Sequence, residues 1–381
     1  MTSRESAISR EETDLRLRQV RQALGRHGFT ALLAYADCWR SSNIGVFTDF
    51  RPVDGVGEYA QGLLLIPIDD DPTLYVAAGA RGWARAVFPY AVGQLSDLVD
   101  DVPRWRLTGA IGLAGAELVP GTLLEPLRDR LRPHATLQPT SLLSMVKAVK
   151  TPRQLALLRH AAALNDHGLE AVRCSMATGR PHTERDVARI AEAAMMNAGG
   201  DGVAYASMVQ AGPRSSWNLA LPTDRTIAAG DMVLTDIGAR YRGVAADGGR
   251  GFTLGPVTDR QRDIVDASAA AVDAGLAAIH PGLSAADLNS VIQQVLVDRG
   301  YADHSGEAKG HGTGHGTGID PEEEQPWIEP GNPTVLAGDM VFTLKATITV
   351  PGQGGVRTER IVRVTESGAE AFDQFPLRNH W

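Results

Sequence analysis

Cysteine is nearly absent: the 381-residue chain carries two, Cys38 and Cys174. Their distance along the chain suggests neither a metal pair nor a disulfide framework, so both are expected to be reduced, buried, structural thiols. Apolar runs of the roughly 18 residues needed to span a bilayer are missing too. The opening stretch MTSRESAISREETDLRLRQ is polar and has no apolar signal core. A cytoplasmic location without a membrane partner follows as the expectation. Basic clusters are also lacking, since net charge is -8 and the lysines and arginines are dispersed. Nothing resembles a footprint for a phosphate backbone, so nucleic acid is not an expected partner.

What is present fits a soluble, enzyme-sized chain: 43% hydrophobic, 22% charged, with 41 glycines that imply many tight turns. The length exceeds one ordinary core and suits two domains. Leu15, Leu17, Val20 and Leu24 have helical spacing across about 11–29. The runs ALLAYA, GLLLIPI, TLYVAA and AIGLAG, mixed with the helix-like GTLLEPLRDRLRP, then describe an α/β domain. A helical region follows, with Thr151 as a cap and Pro152 in the first turn. This sets domains of 1–147 and 148–381. Another helix begins at the capping-box-like Thr183 and stops at glycine. Strand-like runs GDMVLTDIGA, GVAADGGRGFTLG, GDMVFTLKATITV and GGVRTERIVRVT come after it, interrupted by helices near 258–278 and 285–299. The segment GHGTGHGTGID lacks the strand-to-helix context of a phosphate loop. Its alternating glycines point to crowded backbone.

Asp236 and Asp247 lie eleven apart on two strand-like runs. A hairpin centred on Tyr241 and Arg242 would oppose them directly, roughly 5 Å apart at Cβ, where like charges repel. A cation is expected between them, either a metal ion or a buried ammonium.

With GHGTGHGTGIDPEEEQPWIEPGN and GGVRTERIVRVT added, residues 151–375 resemble the pita-bread peptidases: methionine aminopeptidase, Xaa-Pro aminopeptidase, prolidase and the related creatinase. The first 145 residues, with FTDFRP, resemble that family's creatinase-type N-terminal domain. The resemblance implies an α/β (α+β) chain with a C-terminal pita-bread fold. It matches four of five family metal ligands to Asp236, Asp247, His315 and Glu359.

The fifth position departs from the pattern, because Lys345 stands where the family has the glutamate that bridges two ions. Strand alternation puts Phe342, Leu344, Ala346, Ile348 and Val350 on one face and Thr343, Lys345, Thr347 and Thr349 on the other. Glu359 is expected as a near-diagonal neighbour of Lys345. Nearby carboxylates should raise the lysine pKa and keep it charged, filling the gap among Asp236, Asp247 and Glu359. That argues against a two-ion centre and leaves none, or one manganese, cobalt or zinc ion.

Three more positions depart from the family. Trp217, Asn218 and Leu219 occupy the place of a catalytic histidine, Glu322 that of a second, and Arg360 that of an aspartate.

The expected activity is metal-independent and creatinase-like: acid-base hydrolysis of a C–N bond in a small polar molecule. His315 or His311 would act as base or acid, with Asp236, Asp247 and Glu359 in support and Lys345 as an anchor for a substrate carboxylate. Trp217, Arg250, Glu322 and Arg51 are candidate substrate-binding residues, and Glu323 is a further pocket candidate. Arg51 and Phe50 could reach a neighbouring subunit, since the family habit implies a homodimer. The alternatives are a metal-dependent Xaa-Pro aminopeptidase or dipeptidase and a non-catalytic binding module.

Overall fold

The computed structural model of the protein describes residues 7–55 and 57–380. Two units divide the chain, Met1–Lys147 and Ala148–Trp381.

In the first unit, a helix over Arg10–His27 is capped by Ser9, whose hydroxyl accepts from Glu12 N, and ends at Gly28 with φ 72°. Leu17, Val20 and Leu24 are buried, whereas Leu15 faces solvent. Strands β1 (Ala31–Asp37), β2 (Gln61–Pro67), β3 (Thr73–Val76), β4 (Ala91–Gln94), β5 (Gly109–Ala114) and β6 (Ala135–Pro139) form one sheet in the order β4-β3-β2-β1-β5-β6. β1 and β2 are apolar on both faces and almost wholly buried, as befits central strands covered on each side.

The second unit places helices Pro152–Ala177, Glu184–Asn197, Asp259–Ala278 and Ala285–Asp298 around three sheets. Capping boxes at Thr151 with Gln154, Thr183 with Asp186 and Thr258 with Gln261 start three of the helices. Each cap contributes about 1 kcal/mol by satisfying orphan backbone donors. The strands are β7 (Gly202–Val203), β8 (Met208–Ala211), β9 (Met232–Ile237), β10 (Ala239–Tyr241), β11 (Val244–Ala245), β12 (Gly248–Thr253), β13 (Gly314–Gly316), β14 (Glu323–Ile328), β15 (Val341–Val350), β16 (Gly354–Val364) and β17 (Ala369–Ala371). They assemble as β11-β10-β7, β12-β9-β8 and β14-β13-β15-β16-β17.

The alternation along β15 sorts its faces. Phe342, Leu344, Ala346 and Ile348 join a core with Ile264, Val265, Ile292 and Leu296 of the helices. Thr343, Lys345, Thr347 and Thr349 project the other way and are buried as well. Burial on both faces makes this strand the floor of the site.

One expectation needs correction here. The thiols are free but not buried: Cys38 is partly accessible and Cys174 is exposed, because its helix position faces outward beside Glu170. Among the described residues no helix is long and apolar enough to cross a membrane.

Candidate active site

The hairpin carrying Asp236 and Asp247 turns one residue later than expected, which shifts its pairing by two residues. Tyr241 pairs with Val244, leaving Arg242 (φ 47°) and Gly243 (φ 84°) as the loop. The Arg-Gly pair supplies the two positive φ values that such a tight turn requires, so the turn centres there. Asp236 therefore faces Gly249 rather than Asp247. A slip of two residues preserves the face. The two carboxylates still converge, and with Glu359 they bring one oxygen each within 4.8 Å of the others.

Tyr205, from the loop before β8, joins the pair. Its hydroxyl lies 2.6 Å from Asp236 Oδ1 and 2.5 Å from Asp247 Oδ1. Burial, then the neighbouring Asp236 and Asp247, hold its pKa well above the ordinary phenol. Burial and Glu359 push Asp236 up to about 6 and raise Asp247 further above the usual carboxylate range.

The cation in contact with these carboxylates is Arg357, two residues before Glu359 and on the same face of β16. Its Nε is 3.0 Å from Asp236 Oδ2 and 2.8 Å from Glu359 Oε1. Burial opposes its charge, but Glu359 and Asp236 outweigh that and raise its pKa.

Lys345 does not fill the gap assigned to it. It pairs directly with Glu359 across β15 and β16 instead of diagonally, and its amine makes no ion pair within 4 Å among the described residues. Its pKa is lowered, not raised: burial comes first and the Arg357 charge second, and together they exceed the pull of Glu359 and Asp247.

His315 comes from β13, and there and just before it Gly312, Gly314 and Gly316 leave no room for a Cβ. Added side chains would strike Ile328 O, Thr343 O and Gln325 O respectively. The ring is fully buried, with Nδ1 3.2 Å from Gly316 O, so Nδ1 is assigned as the donor and the Nε2 lone pair faces the carboxylates. Nε2 lies 3.3 Å from Asp247 Oδ2 and 3.6 Å from Glu322 Oε1. Burial and Lys345 depress its pKa well below that of free imidazole. His311 is half-buried, and burial followed by Lys345 lowers its pKa, leaving a neutral imidazole at pH 7.

The other predicted residues divide. Glu322 is exposed and beside His315, whereas Glu323 is buried in an ion pair with Lys150 at 2.6 Å. Glu323 is thus a structural group. Arg250 is a correction too. It is wholly buried and bonded to Asp373 at 2.6 Å and to the carbonyls of Phe375, Pro376, Gly249 and Glu359, which leaves it no role in binding a substrate. Arg51 donates to Thr48 O and Phe50 O of its own loop. Trp217 is 59% exposed with the Arg214 guanidinium 4.7 Å from its ring, so it is not core filling.

Sequence reasoning missed Tyr205 and Arg357. Arg357 had a signal, the two-residue period that puts 357 and 359 on one strand face, whereas Tyr205 lies in a loop without a pattern.

Three acceptor atoms stay available for an ion. Glu359 Oε2 and His315 Nε2 are buried without a hydrogen-bond partner, and Asp247 Oδ2 lies beside the histidine. An oxygen and nitrogen set of this kind suits one divalent ion. Arg357 occupies one oxygen each of Asp236 and Glu359, which leaves those two atoms out of any such set.

This fold, with a carboxylate and histidine centre on facing strands, defines a pita-bread enzyme. The sequence model of metallopeptidase family M24 matches residues 156–366. The chain belongs to that family. It is 26% identical to a Xaa-Pro dipeptidase of Pyrococcus furiosus over 86% of this chain and 90% of the relative. It is 32% identical to a probable dipeptidase, PepE, of Mycobacterium tuberculosis over 74% and 75% of the two. The crystal structure of a prolidase from Pyrococcus horikoshii matches with TM-score 0.83 at 21% identity, covering 95% of this chain and 99% of that one.

Proposed function

We propose that the protein hydrolyses the C–N bond of a dipeptide-sized substrate bearing a free carboxylate, in the manner of the Xaa-Pro dipeptidases it resembles, at a centre holding one divalent ion at most. The observation that carries the reading is the unpartnered amine of Lys345 facing Glu359 inside the carboxylate and histidine cluster. The relatives favour this reading over the metal-free, creatinase-like one expected from the sequence.

Asp247, Glu359 and His315 would hold the ion, and the ion would supply Lewis-acid polarisation of the scissile carbonyl. Lys345 anchors the substrate carboxylate by a charge-assisted contact and fixes the bond over the floor of β15 and β16. Neutral His311 accepts the proton from the attacking water and returns it to the departing amine. Arg357 balances Asp236 and Glu359, so the centre does not repel an anionic substrate. Trp217 forms a wall at the rim.

The test is release of proline from Xaa-Pro dipeptides by the chelator-treated protein, before and after addition of manganese, cobalt or zinc. Turnover that requires the ion supports the proposal, and no turnover of any dipeptide under either condition overturns it. A second reading, metal-free hydrolysis of a small polar C–N compound, is favoured by the Arg357 contacts. It requires turnover that chelation leaves unchanged.

A further inference from the structure

Asn218 adopts φ 69° and ψ -62°, and Leu219 N donates to Trp217 O at 2.9 Å. This is the positive-φ γ-turn, a rare and strained conformation for a residue with a Cβ. Among the described residues glycine supplies the positive φ angles, with Arg106, Arg242 and Asp339 the other exceptions. Glycine would close this turn without strain, so the asparagine found here calls for a reason in its side chain.

The side chain is buried, and its Oδ1 lies 3.4 Å from Arg357 Nη1. The backbone is held from both directions. Gln210, fully buried on β8, donates from Nε2 to Asn218 O at 3.1 Å. Ser215 Oγ accepts from Gly355 N at 2.9 Å, tying the same loop to β16 two residues before Arg357. A continuous chain of polar contacts therefore runs from Gln210 through Asn218 to Arg357, and from Arg357 to Asp236 and Glu359.

We infer that Asn218 is a positioning residue, held in a strained turn so that its amide oxygen fixes the Arg357 guanidinium between Asp236 and Glu359. A planar guanidinium free to rotate about its stem would trade these carboxylates for one another and leave an oxygen unpaired. Contact at Nη1, on the side away from the Nε that faces both acids, removes that freedom. The inference rests on the proposed reading only in assigning a catalytic purpose to the Arg357 cluster.

The test uses the Nε–H resonance of Arg357 in the full-length protein, identified by its loss in Arg357→Lys. In wild type a sharp resonance that exchanges slowly with solvent is expected. Asn218→Gly relieves the strain and should be at least as thermostable as wild type, yet its Arg357 resonance should broaden and exchange faster. Asn218→Asp keeps an oxygen at the same place and should retain the resonance. If dipeptide turnover is measurable, Asn218→Gly should lower kcat about tenfold or more with little change in KM, the scale typical of residues that orient a site from behind. An Arg357 resonance unchanged in Asn218→Gly overturns the inference. Because the resonance needs no substrate, a failure of the dipeptidase reading would show separately, as absent turnover in wild type.

Discussion

Lys345 and Glu359 sit directly opposite each other on β15 and β16, yet the glutamate is bonded to Arg357 of its own strand and the lysine is left without an acidic partner. A charged amine buried this way costs stability that a bound anion, or loss of its proton, recovers.

Replacing Lys345 with Met should therefore leave thermal stability unchanged or raised while abolishing dipeptide turnover. Thermal unfolding and proline release, measured on the same preparation, check both halves. Full activity in the variant would remove Lys345 from the site.

Lys345→Glu supplies a carboxylate at the position where the resemblance to the family puts one that bridges two ions. Metal content after manganese loading and desalting should rise from one ion per chain at most to two. A wild-type protein that retains two would show that the amine swings aside.

Arg357→Met leaves Asp236 and Glu359 buried without their counter-charge. Loss of one member of a buried ionic cluster costs about 3–5 kcal/mol. Denaturant unfolding should show a loss of that size at pH 8 and a smaller one at pH 5, where protonation of Asp236 relieves the pair. A loss under about 1 kcal/mol at pH 8 would mean that water already reaches the cluster.

The pH dependence of stability follows from Asp236. Burial and Glu359 push its folded pKa up to about 6, against roughly 3.9 in an unfolded chain. The folded state then holds its proton more tightly, so the stabilisation is complete below pH 4 and is lost as pH rises toward 6. In chelator-containing buffer, the decline of Tm between pH 4.5 and pH 7 should be shallower for Asp236→Asn than for wild type. Parallel curves would refute the shift.

Trp217→Ala removes an exposed ring and should leave Tm within a degree or so of wild type. A rise in KM with unchanged kcat would place the ring at the substrate, and unchanged KM would return it to the surface.

Much of this architecture was legible in the sequence because period-two alternation survives wherever a strand has two distinct environments. β15 is the clear case, where Thr343, Lys345 and Thr347 separate cleanly from Phe342, Leu344 and Ala346. Crowding around β13 was legible as well, since glycine at every second position has few other causes. Registers were harder. The hairpin centre moved because Arg242 takes a positive φ that nothing in its side chain announces. Pairing between charges was not legible. Arg250 and Arg357 both lie on strands near acids, and only the fold shows that one is bound to backbone carbonyls while the other holds the centre. Whether Lys345 is charged depends on the balance of burial against neighbours, a quantity that sequence spacing does not contain.

Tyr205 spans two aspartates with a single hydroxyl hydrogen. One phenol can donate to one carboxylate at a time, so the second short contact needs a hydrogen supplied by the acid itself. That hydrogen lies between Tyr205 and one of the two aspartates. Loading an ion at Asp247 must expel that proton. An ion taken up there would release acid: its binding should tighten as the solution becomes more alkaline, and its heat should change with the ionisation enthalpy of the buffer that takes up the displaced hydrogen.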